Sequence, residues 1–208
     1  MAYMNTKTHS ILGSLITATL LTTVPALCAQ TAARGFENEP DRSMAAAHDS
    51  FVKGDKHRAA ANLEKASRWV KKQADEVGKA SSAGMKDAGE ELEKLGEGVK
   101  KGTVKSGDEM KKTFAKVDHE IASCWHKTAE DTKNAGRDST ADLKKAGEAL
   151  EGSAKWSGHQ LSEGARDSVR AVKKAGKATG EGSQAAAKDV DRWFKGIGQG
   201  IKELGRRL

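Results

Sequence analysis

The side chains best equipped for chemistry fall in one short stretch: His119, Cys124, His126 and Glu130. His126 and Glu130 stand four residues apart, so a helix would stack an imidazole beside a carboxylate, with His119 two turns back. Imidazole and carboxylate are zinc-type ligands, and a metal shared by His119, His126 and Glu130 is the coordination chemistry that this spacing permits. The same spacing also occurs on plain solvated helix faces. Cys124 sits in the apolar series Met110, Phe114, Val117, Ile121, Cys124, which predicts a buried thiol. The sequence has no Gly-x-Ser-x-Gly elbow, phosphate-cradling glycine loop, His-Glu-x-x-His or Cys-x-x-Cys. Nothing in it supplies a nucleophile with a base and an orienting third group. The reading is therefore non-enzymatic and without a cofactor.

These residues need helices to hold them, and the composition favours helices. The chain has 208 residues, 31% of them charged and only 4% aromatic, with 22 Gly and 2 Pro. Residues 43–130 read as a small antiparallel bundle of three or four helices. A short Ala-rich helix stops at Gly54-Asp55, where Gly suits the residue past a helix end and Asp55 can cap the next helix. Ala59, Leu63, Ala66, Val70, Ala74 and Val77 then share one face, followed by Met85, Ala88, Leu92, Leu95 and Val99. Ser106 with Glu109 three residues later is a capping box, opening the helix that carries His119 through Glu130. No period-two run of β-branched residues occurs, so the fold class is all-α.

Two segments flank the bundle. Residues 1–29 have a basic start, the apolar stretch 11–27 and a small-residue end, the pattern of a cleaved secretory signal peptide. Export to a bacterial periplasm or exterior is the expected destination, which leaves Cys124 as the lone cysteine and excludes an internal disulfide. Residues 30–42 form a polar, mobile lead-in. Residues 131–208 carry 16 Lys/Arg against 11 Asp/Glu, so most of the net charge of +7 lies there. Leu143, Gly147, Leu150, Ala154, Gly158, Leu161, Ala165, Val169, Val172, Gly176, Gly180, Ser183 and Ala187 form a stripe repeating about every eleven residues. Twelve glycines in this segment, at roughly 1 kcal/mol each against helix, predict a long amphipathic arm that is partly disordered until a surface presses on it.

The arm ends in a basic helix over 190–208. Val190, Phe194, Ile197, Ile201, Leu204 and Leu208 line one face with Trp193 at its edge, while Arg192, Lys195, Lys202, Arg206 and Arg207 lie on the others. Bulky apolar residues opposite basic ones suit an anionic lipid interface. They equally suit a helix that docks its apolar face on the bundle. Gly196, Gly198, Gly200 and Gly205 point to a supple helix that folds on contact.

Four Lys-x-Ala-Gly-charge clusters occur, at Lys86–Glu90, Lys133–Arg137, Lys144–Glu148 and Lys173–Lys177. With the eleven-residue stripe they resemble group 3 late-embryogenesis-abundant proteins and, more loosely, exchangeable apolipoproteins. The resemblance implies amphipathic helix formed on drying or on lipid, and protection of membranes or proteins. The expected function is thus an exported helical protein of the cell envelope, structural or stress-protective, that binds anionic lipid or envelope surfaces through its C-terminal arm. A protein partner or self-association is the other kind of partner; interleaved acids and the lack of stacking aromatics argue against nucleic acid. The alternative is a periplasmic binding module whose bundle holds a ligand or metal.

Overall fold

A computed structural model describes residues 39–178 and 187–208. It is all-helical, with seven helices: α1 Asp41–Val52, α2 Lys56–Gln73, α3 Lys79–Lys101, α4 Gly107–Asn134, α5 Thr140–Ser157, α6 Glu163–Ala178 and α7 Ala187–Gly205. No strand occurs among the described residues, and no helix there is long and apolar enough to cross a membrane. The expected signal segment lies outside them.

Local sequence signals set the helix ends. Gly54 has φ +82°, and the Asp55 side chain accepts from the Arg58 N–H at 2.9 Å, so one glycine-aspartate pair ends α1 and opens α2. Gly102, at φ +71°, ends α3. The capping box then opens α4: Ser106 Oγ accepts from Glu109 N at 3.2 Å, and Glu109 Oε2 accepts from the Lys105 N–H at 3.0 Å. The return bond thus reaches one residue further back than the usual box. The chain turns between Gln73 and Lys79.

Helix α4 is the hub, packing against α1, α3, α5 and α7, and its interface with α5 is the most extensive in the molecule. Every apolar position in the series on α2, α3 and α4 is buried, including Leu63, Val70, Met85, Leu92, Met110, Phe114 and Ile121. Cys124 is buried too, as its place in the series requires, and burial, aided by the Glu120 carboxylate, pushes its thiol up to about 12.

Beyond residue 130 the structure differs from a long ribbon. Helix α4 continues to Asn134, and Gly158, at φ +72°, ends α5 in the middle of the eleven-residue stripe. The apolar members of the stripe are buried: Leu143, Leu150, Ala154, Leu161, Ala165, Val169 and Val172 all face the core, whereas Gly158 is exposed and Gly176 half-buried. The stripe is folded back on itself, however, and the surface it needs is supplied within the chain by α4 and by α5–α7 themselves. The stripe positions Gly180 and Ser183 lie outside the described residues, and nothing of the Ala187 side chain is described.

The Lys-x-Ala-Gly clusters do not form one repeated structural unit. Gly136, with φ +70°, lies just past the end of α4. Gly147 instead lies inside α5, where an added Cβ would meet Val169 of α6 at 3.1 Å. The same four-residue pattern ends one helix and seats a neighbour on another.

Candidate functional site

The terminal helix docks by a device used twice. His119 and His126 stand seven residues apart on α4, and their Nε2 atoms lie 3.0 Å from the Ile201 carbonyl oxygen and 3.1 Å from the Phe194 carbonyl oxygen. A carbonyl only accepts, so each Nε2 donates. Gly205 and Gly198 allow the approach: a Cβ there would lie 2.6 Å from His119 Nε2 and 3.0 Å from His126 Nε2. The pairing runs antiparallel, and the Phe194 ring meets His126 edge-on at 5.6 Å between centroids. Lys133 closes that end, with Nζ 5.0 Å from the Phe194 centroid and an ion pair to Asp191.

This geometry revises two expectations. Among the described residues no three His, Cys, Asp or Glu side chains converge on a metal position. Both histidines spend Nε2 on α7 carbonyls, and Glu130 lies beside His126, Nδ1 to Oε1 at 3.7 Å, so His119 and His126 act as helix-docking donors with Glu130 flanking one of them. The glycines of α7 are contact points as well. Gly196 lies over α6, where a Cβ would come 2.8 Å from the Gly164 carbonyl oxygen, and at Gly200 a Cβ would meet Leu150 at 2.9 Å. They are small because neighbours touch the backbone, which differs from suppleness.

The α7 surface residues divide cleanly. Trp193, Phe194, Ile197 and Leu204 are buried, Val190 and Ile201 half-buried, and Leu208 is exposed at the chain end. Arg192, Lys195, Lys202, Arg206 and Arg207 are all exposed. The apolar face that suits lipid is turned inward, and the basic residues are turned out.

A second constellation lies on another flank of α4. A cavity of about 570 Å³ opens between α1, α2, α4 and α5, with Gly176 of α6 also lining it and Trp69, Ile121 and Trp125 among its walls. Asp118 of α4 and Asp41 of α1 line it, and both are buried. Gly152 on α5 makes room for the two carboxyl groups. An added Cβ would lie 2.6 Å from Asp118 Oδ2 and 2.9 Å from Asp41 Oδ2, so both crowd around one point. The Trp156 Nε1–H donates to Asp41 Oδ1 at 3.1 Å. Apart from Asp41 beside it, neither Asp118 oxygen has a hydrogen-bond partner among the described residues.

Two carboxyl groups this close and this dry do not both ionise near neutrality. Burial, reinforced by the neighbouring Asp41 charge, raises Asp118 well above the usual carboxylate range. Burial also raises Asp41, against the opposing hydrogen bonds of Asp118 and Trp156. The pair therefore holds a proton. At the cavity wall Lys145 Nζ rests 3.7 Å from the Trp125 centroid and pairs with Glu76 at 3.1 Å. Lys144 pairs with Glu148 at 3.7 Å.

The acid pair was absent from the sequence expectations, although a signal for it existed. Asp118 falls four residues after Phe114 and three before Ile121, inside the apolar series of α4. An acid on a buried face is informative where an exposed leucine is not. Its partner, 77 positions earlier at Asp41, carries no such mark. No protein-family model, curated protein or solved structure matches the chain.

Proposed function

We propose that the protein is an exported, non-enzymatic component of the cell envelope, structural or stress-protective, that adheres to anionic surfaces through the outer side of α7. The observation that carries this reading is the division of that helix. Its apolar residues are docked, while Arg192, Lys195 and Lys202, with Arg206 and Arg207 just past its end, are exposed. Arg166, Arg170 and Lys174 are exposed on α6, the helix packed beside it. Each basic residue held near an anionic membrane contributes about 1 kcal/mol. Asp191 and Glu203 offset part of that, so the adhesion is weak, reversible and screened by salt. Insertion of the apolar face would require α7 to leave α4.

Co-sedimentation with vesicles containing phosphatidylglycerol tests the reading. Binding at low salt is expected to fall steeply by 0.5 M salt. It is also expected to vanish when the five basic residues become Gln, with helicity unchanged. Salt-insensitive binding that survives neutralisation would overturn it. A second reading, a binding module whose bundle holds a small ligand, is favoured by one observation: the cavity over Asp118.

A further inference from the structure

We propose that the cavity between α1, α2, α4 and α5 binds a small organic cation, a primary alkylammonium, with its charged head on the Asp41–Asp118 pair. This rests on the binding-module reading and gives that module a ligand class.

Three observations carry it. Asp118 is 1% exposed, lines the cavity and, apart from the proton it shares with Asp41, has no donor for either oxygen among the described residues, whereas a buried carboxyl group ordinarily finds more partners. An ammonium brings three donors and a positive charge to carboxyl oxygens that otherwise receive the Trp156 N–H and the shared proton. The volume, about 570 Å³, is that of a small-molecule site. The walls are also shown to suit a cation, because the chain's own Lys145 ammonium already lies over the Trp125 ring.

Charge selects the sign of the ligand. Glu39, Asp41, Asp118, Asp138 and Glu148 line the cavity against Lys144 and Lys145. Both lysines are held by carboxylates, Glu148 and Glu76. An anion would meet the acids with no free base to receive it. The aliphatic body of the ligand lies against Ile121 and Trp69, and Ala141 stands exposed at the rim.

Binding is coupled to a proton. The pair holds one proton near neutrality, and the ammonium displaces it, so each ligand bound releases up to one proton to solvent. The groups facing the pair are few. Glu39 approaches from the segment before α1 and is itself tied to Lys65 of α2 at 2.9 Å; Lys155 and the Trp156 N–H approach from α5. Affinity therefore rises with pH, by at most about tenfold per unit, until the pair has lost its proton.

The test is calorimetric titration of the full chain with 1-aminopentane at pH 6, 7 and 8, alongside 1-pentanol as an uncharged probe of equal length. The expected result is saturable amine binding that tightens with pH, with heats that depend on the buffer's ionisation enthalpy because a proton is released. Asp118→Asn, which keeps the shape, should weaken amine binding at least tenfold. Ala141→Trp, an exposed change that narrows the rim, should weaken it without touching the acids. If pentanol binds as well as the amine and Asp118→Asn changes nothing, while Ala141→Trp blocks both, the cation proposal falls and the binding-module reading stands. If neither probe binds, both fall.

Discussion

Replacing Gly196 by Ala distinguishes a docked α7 from a supple one, because the two give opposite signs. In a free helix the change is worth about 1 kcal/mol in favour of helix. In the folded chain the new methyl would come 2.8 Å from the Gly164 carbonyl oxygen and 2.8 Å from Ser168 Cβ, with Ser168 Oγ closer still. The serine hydroxyl can rotate away. The Gly164 carbonyl belongs to the backbone of α6 and cannot, so the helices must part by several tenths of an ångström. Overpacking of this kind costs typically 1–3 kcal/mol. Set against the helix gain, the net is a loss of up to about 2 kcal/mol. At about 2–4 °C per kcal/mol for a chain of this size, the melting midpoint should drop by up to about 8 °C. Gly164→Ala is the control: a Cβ there has nothing within 4 Å, so it should be neutral or stabilising. Thermal unfolding by circular dichroism reads the full chain, and a 187–208 peptide reads the free helix. A Gly196→Ala chain that melts higher, as the peptide should, would refute the docking of α7 on α6.

Two further outcomes follow from buried groups. Cys124, buried and with its thiol pushed up to about 12, should stay unmodified by iodoacetamide at pH 8 in the native chain and react fully in urea. A non-reducing gel should then show monomer. For the acid pair, a folded pKa above the unfolded value means that the native state binds the extra proton. The associated stability is present below the unfolded value near 4 and is lost as pH rises through the folded one. Urea unfolding should therefore show Asp118→Asn gaining on the parent chain between pH 5 and pH 8. Taking that difference cancels His48, which burial and Lys111 shift down and which therefore titrates in the opposite sense.

Much of the fold was legible because helix signals are local. Asp55 and Ser106 cap where their side chains can reach the next turn, and the buried face of α2 follows from the spacing of Ala59, Leu63, Ala66 and Val70. The α7 glycines were legible only as a cost to helix. Whether a glycine loosens a helix or admits a neighbour depends on what lies opposite. For Gly198 and Gly205 those neighbours are His126 and His119, some 72 and 86 positions away in sequence. The histidines were misread for the same reason: two imidazoles seven residues apart on one helix face fit metal ligands and docking donors equally well. Asp118 stood in register with the apolar series around it, an acid at an apolar position, but the cavity beside it required α1, α2 and α5 to be in place.

Amide hydrogen exchange over α7, Trp193 through Leu204, measured on the dilute chain with and without phosphatidylglycerol vesicles, addresses the docked helix most directly. Docking on α4 through His119 and His126 predicts slow exchange in both conditions, since adhesion uses only the outward basic side chains. Rapid exchange in buffer that slows only on vesicles would contradict it, and would return α7 to the role of a helix formed by the surface it meets.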